Sequence, residues 1–85
     1  MSSSVPSNDT RATGALVTDD ELAVQLADGR SISVPLAWFP RLLHASPAAR
    51  QNFRLVGNGV GLHWPEVDED LSVDGLLRGS RAPSA

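Results

Sequence analysis

A small α+β domain is what this chain predicts, and three observations carry the reading. Two apolar/polar alternations flank Asp28-Gly29, the pattern of a β-hairpin. Two proline-led starts, Phe39-Pro40 and Ser46-Pro47, mark short helices after it. A further alternation runs from Val60 to Trp64 behind the turn Gly57-Asn58-Gly59. The expected architecture is a small antiparallel sheet, made of a hairpin over 14–34 plus a strand near 60–64. Helices near 40–45 and 47–53 should cover it.

Gly14-Ala15-Leu16-Val17-Thr18 is β-prone and closes in the polar turn Asp19-Asp20-Glu21. Leu22, Val24 and Leu26 then share one face of a strand. Ile32 and Val34 form the apolar face of the next. A two-residue Asp28-Gly29 loop would put these two apolar sets on opposite faces. A three-residue loop, Ala27-Asp28-Gly29, pairs Leu26 with Arg30, Val24 with Ile32 and Leu22 with Val34. All large apolar groups then lie together, and Gly29 supplies the left-handed residue such a loop requires. The three-residue loop is therefore predicted.

Pro35 has no N–H and ends the strand. Pro40 opens a helix through Arg41-Leu42-Leu43-His44-Ala45. Ser46 caps a second helix led by Pro47, with Ala49 and Phe53 as its buried stripe at i, i+4 spacing. Leu55-Val56 can begin another strand. Val60, Leu62 and Trp64 are expected on one face of the strand that Pro65 ends. Glu66-Val67-Asp68-Glu69-Asp70 reads as an acidic loop, and Ser72 as the cap of a last turn, Val73 to Leu77.

Residues 1–12 and 79–85 are small, polar and without apolar period, so both are expected to be disordered tails around a single domain over 13–78. A domain of that size buries only about 60% of the surface its unfolded chain exposes, and dimerisation is one remedy. Net charge is −3, which leaves no electrostatic footprint for nucleic acid. The seven basic residues are all Arg, suited to planar pairing with carboxylates. With no cysteine there is no disulfide scaffold, thiolate zinc site or cysteine nucleophile. The N-terminus lacks a signal-peptide layout and no apolar run approaches a membrane span, so a cytoplasmic protein is expected.

Four sets of residues invite a chemical reading. His44 and His63, with Glu66, Asp68 or Asp70 as oxygen donors, raise a metal site. The histidines lack the paired spacing that zinc ligands show, so no metal or other cofactor is expected. Asp68-Glu69-Asp70 suggests acid–base or magnesium chemistry, but no phosphate loop or nucleophile elbow accompanies it. Structural ion pairs of Asp68, Glu69 and Asp70 with Arg41, Arg50 and Arg54 are favoured instead. Ser46 is explained as a helix cap without a catalytic role. Trp38, Phe39, Arg41, His63 and Trp64 combine aromatics with charge and are the candidate interaction residues.

The run from Leu22 to Leu77 resembles a bacterial family, domain of unknown function 2442 (DUF2442). The resemblance rests on the strand into Asp28-Gly29, on Pro35-Leu36-Ala37-Trp38-Phe39-Pro40-Arg41-Leu42, and on Ala45-Ser46-Pro47 followed by Arg50. Gly57-Asn58-Gly59, His63-Trp64-Pro65, Asp68-Glu69-Asp70 and Ser72-Val73-Asp74-Gly75-Leu76-Leu77 extend it in order. Phe53 stands where a tryptophan is expected. The resemblance implies a small α+β fold without an assigned activity. It also implies relatives in which a similar module precedes a helix-turn-helix segment, before which this chain stops, and two-gene units resembling toxin–antitoxin pairs.

The reading that follows is a non-enzymatic, antitoxin-like interaction module. It would bind itself or a protein encoded by a neighbouring gene, and neither nucleic acid nor membrane. One rival is a small enzyme or accessory subunit using the acidic 66–70 loop and His63; another is a partner of a DNA-binding regulator.

Overall fold

The computed structural model describes residues 9–80. Its first sheet is an antiparallel meander of β1 (Ala12–Val17), β2 (Glu21–Leu26) and β3 (Ser31–Pro35), in that spatial order. The hairpin closes through the three-residue loop. Leu26 N–H donates to the Arg30 carbonyl at 2.8 Å, Gly29 N–H donates to the Leu26 carbonyl at 3.1 Å, and Gly29 has φ 94°. Leu22 faces Val34 and Val24 faces Ile32, as the apolar pattern requires. Asp28 braces the loop, accepting from the Arg30 backbone N–H at 3.0 Å and from its Nε at 2.8 Å. Thr18 organises the preceding turn, its hydroxyl oxygen accepting from the N–H groups of Asp20 and Glu21.

The fold begins earlier than the sequence suggests. Ala12, assigned to a tail, starts β1 and is buried in the core, opposite Leu26 and next to a bulge before Gly14. Small size hides this role, because an alanine at the end of a polar run carries no period. The tail assignments for 1–8 and 81–85 lie outside the described residues.

After Pro35 the chain makes a 3-10 turn over Leu36–Trp38, then α1 (Pro40–Leu43) and α2 (Pro47–Gln51). Each helix starts on its proline, whose missing N–H costs nothing at that position. Ser46 caps α2, its hydroxyl accepting from Ala49 N–H at 3.1 Å. The helix stops before the expected residue 53. Asn52 leaves helical geometry (φ −96°, ψ 80°), so Phe53 is not the i+4 partner of Ala49. Its ring packs instead against Trp64, with centroids 5.9 Å apart.

The strand near 60–64 does not extend the hairpin sheet. It is the centre of a second antiparallel meander: β4 (Arg54–Val56), β5 (Gly61–Trp64) and β6 (Glu69–Ser72). Val60 is excluded from it, because its αR backbone (φ −73°, ψ −18°) still belongs to the turn over Gly57–Gly59, and its side chain is exposed. The acidic segment is only partly a loop. Asp68 turns the chain at φ 52°, a conformation Asp tolerates, and Glu69 to Ser72 then run back as a strand. α3 (Val73–Leu77) follows, capped by the Ser72 hydroxyl, which accepts from Gly75 N–H at 2.9 Å.

Both sheets and the helices share one core. Leu22, Val24 and Leu26 come from β2, Leu62 and Trp64 from β5, Leu36, Phe39 and Leu42 from the segment between the sheets, and Val73 and Leu76 from α3. The two sheets also touch through backbone. Gly59, at φ 99°, lies so close to the Ala12 carbonyl oxygen that a Cβ there would collide with it.

Candidate interaction site

The structure separates the predicted interaction residues. Phe39 and Trp64 are core residues, 2% and 0% exposed, and offer a partner nothing. The indole N–H of Trp64 is itself taken up by the Arg50 carbonyl at 2.9 Å. Burial wins here because a chain this small has few other groups large enough to exclude water from its centre. Trp38 is half-buried against the same core. Arg41 is exposed and donates from Nη1 to the Asp68 carbonyl at 2.6 Å. His63 is half-buried on β5.

The ion pairs also differ from expectation. Among the described residues no ion pair joins Asp68, Glu69 or Asp70 to Arg41, Arg50 or Arg54. Arg50 is buried and acts as a staple. Its Nε donates to the Leu42 carbonyl at 3.0 Å, its Nη2 to the Leu43 carbonyl at 2.7 Å and its Nη1 to Asp19 Oδ1 at 2.8 Å. A planar guanidinium reaches three acceptors at once, which explains why it serves here. Gln51 beside it donates to the Val17 carbonyl at 2.8 Å. Glu69 faces inward and accepts from the Asp70 N–H at 3.2 Å. Asp68 contributes its carbonyl to Arg41.

The metal candidates do not converge. His44 caps the end of α1, and Glu66 accepts from Asn52 at 2.9 Å. Among the described residues no three His, Cys, Asp or Glu side chains form a group able to hold a metal ion. The Ser46 and Ser72 hydroxyls are both helix caps.

What the second sheet does bring together is a row that sequence reasoning missed. Arg54 faces His63 across β4 and β5, and His63 faces Asp70 across β5 and β6. Leu62 and Trp64 point into the core, so by strand alternation these three side chains share the opposite, outer face. His63 Nδ1 lies 2.7 Å from Asp70 Oδ1. The bond from Val73 N–H to the Val60 carbonyl sets the alternation of the ladder, and it makes His63–Asp70 a non-hydrogen-bonded pair, whose side chains approach more closely. Arg54 has no hydrogen-bond or ion-pair partner among the described residues, and the Asp70 side chain is 73% exposed. Val56 and Val60 add exposed apolar surface beside the row. The signal for this face was the alternation Glu69-Asp70-Leu71-Ser72, masked by its charge.

Next to Val60 lies a shallow depression of about 200 Å³, lined by Thr10, Arg11, Ser72, Val73 and Asp74. Arg11 at its rim is paired with Asp9, whose carboxyl its guanidinium holds below the ordinary range.

Residues 12–82 match the model of a family described as protein of unknown function (DUF2442). The chain belongs to the DUF2442 family. The match begins at Ala12, where the core begins. This DUF2442 chain is similar to a protein of unknown function from Rhodospirillum rubrum, known from a crystal structure. Identity is 30%, the TM-score is 0.77, and the match covers 91% of this chain and 95% of that one. An uncharacterised protein from Chromobacterium violaceum, solved by NMR in solution, shares the fold at 20% identity and a TM-score of 0.72. That match covers 87% of this chain and 70% of the other. A comparison with curated proteins found no match. Among the described residues no helix of the DUF2442 fold is long and apolar enough to cross a membrane.

Proposed function

We propose that this DUF2442 domain is a non-enzymatic interaction module, antitoxin-like in its role, that acts in the cytoplasm by docking a protein partner. The observation that carries the reading is the outer face of the second sheet. Arg54, His63 and Asp70 stand there in one row across three strands, flanked by Val56 and Val60. An exposed sheet face with mixed charge and apolar edges suits another protein surface. A small substrate is ordinarily held in a concave pocket that removes most of its surface from water. The partner expected is a second copy of this chain or the product of a neighbouring gene, including a DNA-binding regulator.

The test is co-expression with the adjacent gene product and purification through a tag on this chain. The expected result is stoichiometric co-purification that Arg54→Asp abolishes while the fold is retained. Recovery of this chain alone, and as a monomer at every concentration, would overturn the reading.

One observation favours a second reading. The His63–Asp70 contact of 2.7 Å resembles the orienting half of a catalytic relay. An enzyme or accessory subunit using His63 would show a turnover lost in both His63→Ala and Asp70→Asn. Those variants separate it from the docking reading, in which no turnover exists to lose.

A further inference from the structure

We infer that the outer face of the second sheet is self-complementary and docks onto the same face of a second copy of this chain. The inference rests on the interaction-module reading and names the partner for that face. Read across the strands, the row runs cation, imidazole, anion: Arg54 on β4, His63 on β5, Asp70 on β6. Most homo-oligomers are two-fold, and a two-fold contact must match a patch to itself. A two-fold axis running along β5, between two such faces, places β4 of one copy over β6 of the other. Arg54 then meets Asp70 of the second copy, and Asp70 meets its Arg54, with the two His63 side chains at the axis. An axis across the strands would instead stack Arg54 on Arg54 and Asp70 on Asp70. Like charges brought together suppress that arrangement, so the row selects both the face and its orientation.

The participating groups are available. Arg54 has no hydrogen-bond or ion-pair partner among the described residues. Asp70 engages His63 through Oδ1, which leaves Oδ2 for an arriving guanidinium. Val56 and Val60, 42% and 57% exposed, supply apolar contact at the margin. Gly61, at the same level as Val56 and Ser72, adds no side chain to hold the faces apart. The outer face of the first sheet lacks this logic. Its cross-strand rows read Leu16-Ala23-Ser33 and Gly14-Gln25-Ser31, and the charge of Glu21 opposite Pro35 has no cation in the ladder to pair with and set an orientation.

The patch also sets the strength. Three strands about 4.8 Å apart, of three, four and four residues at about 3.3 Å per residue, cover roughly 200 Å² per copy. A stable interface buries about 800 Å² per partner. The contact is therefore weak and reversible, and its charges determine partner and orientation more than tightness.

Sedimentation equilibrium and dilution-dependent amide chemical shifts, from about 10 μM to about 2 mM full-length chain, test the inference. The expected result is a monomer–dimer equilibrium in which amides of residues 54, 61, 63, 70 and 72 shift with concentration and those of 16, 23 and 33 do not. Arg54→Asp and Asp70→Arg should each weaken association at least tenfold, and the chain carrying both should recover it. Circular dichroism melts establish that each variant is folded. A wild type that stays monomeric throughout, or a double exchange as weak as its parents, overturns the inference. Capture of the neighbouring gene product by a strictly monomeric chain overturns it too, while leaving the docking reading standing.

Discussion

Replacing Arg50 should damage this protein more than any exposed change, and the structure gives the size. The side chain is 10% exposed and makes three charge-assisted bonds, to the carbonyls of Leu42 and Leu43 and to Asp19. Truncation to alanine removes the two carbonyl bonds, each worth about 1.5–3 kcal/mol when the donor is charged. Leu42 O keeps a second donor, the N–H of Ala45 at 3.1 Å, so its loss falls at the low end. The Asp19 carboxylate is 91% exposed, and water replaces its partner at a cost of about 0–1 kcal/mol. The expected destabilisation is about 3–5 kcal/mol for Arg50→Ala and about 0–1 kcal/mol for Asp19→Ala. A domain of about 70 residues has roughly 4–10 kcal/mol in total, so Arg50→Ala should approach the unfolding threshold at room temperature. Urea titration followed by tryptophan fluorescence measures both, since Trp64 is fully buried and leaves the core on unfolding. A loss below about 1 kcal/mol for Arg50→Ala, or an equal loss for Asp19→Ala, would refute the account of Arg50 as a staple bound mainly to backbone.

Three other outcomes follow from the backbone and the caps. Gly29→Ala should cost about 1–2 kcal/mol through its positive φ alone, because open space surrounds that position, whereas Gly59→Ala should cost more because its Cβ meets the Ala12 carbonyl; thermal melts of the two variants rank them. Ser46→Ala should remove about 1 kcal/mol with its bond to Ala49 N–H, a drop in melting temperature of about 4–8 °C. The Arg30 backbone N–H, and then its guanidinium, hold the Asp28 carboxyl below its ordinary value. The stability this gives is present above the unfolded carboxyl pKa of about 3.9 and is lost as pH falls through the lower folded value. Asp28→Asn should therefore flatten the stability profile below about pH 4, as read by urea midpoints across the acid range.

The hairpin was legible because several signals agreed on it. Period-two alternation placed Leu22, Val24, Ile32 and Val34, and only a loop with Gly29 in left-handed geometry kept them on one face. The caps at Ser46 and Ser72 were legible for a similar reason, since a hydroxyl three residues before an orphan N–H is a local arrangement. The second sheet was not. Alternation identifies an inward face but not the sheet a strand joins, so Leu62 and Trp64 read equally well as a fourth strand of the first. β6 escaped notice because Glu69 and Asp70 carry the charge of a loop, and Asp68 turns the chain without a glycine. The partners of Arg50 were beyond reach for a different reason. Its acceptors are two carbonyls and a carboxylate that lies 31 residues away in sequence, and residue type announces none of these contacts. The row of Arg54, His63 and Asp70 needed the register of three strands, one of them hidden.

Each sheet is a meander of consecutive strands, over 12–35 and over 54–72, so every ladder bond is formed by a near neighbour in sequence. What joins the halves is of another kind: the common burial of Leu22, Val24, Leu62 and Trp64, the approach of Gly59 to Ala12, and the side chains of α2. Topology predicts that such a chain folds by quick zippering within each meander and a later docking step between them. Close spacing along the chain favours fast pairing, whereas the shared core must wait for the two halves to meet. α2 stands at that junction, with Gln51 bound to Val17 and Arg50 bound to Asp19 on one side, and the Arg50 carbonyl bound to Trp64 on the other. The barrier to folding should be set there, on the five residues from Pro47 to Gln51, rather than in either sheet.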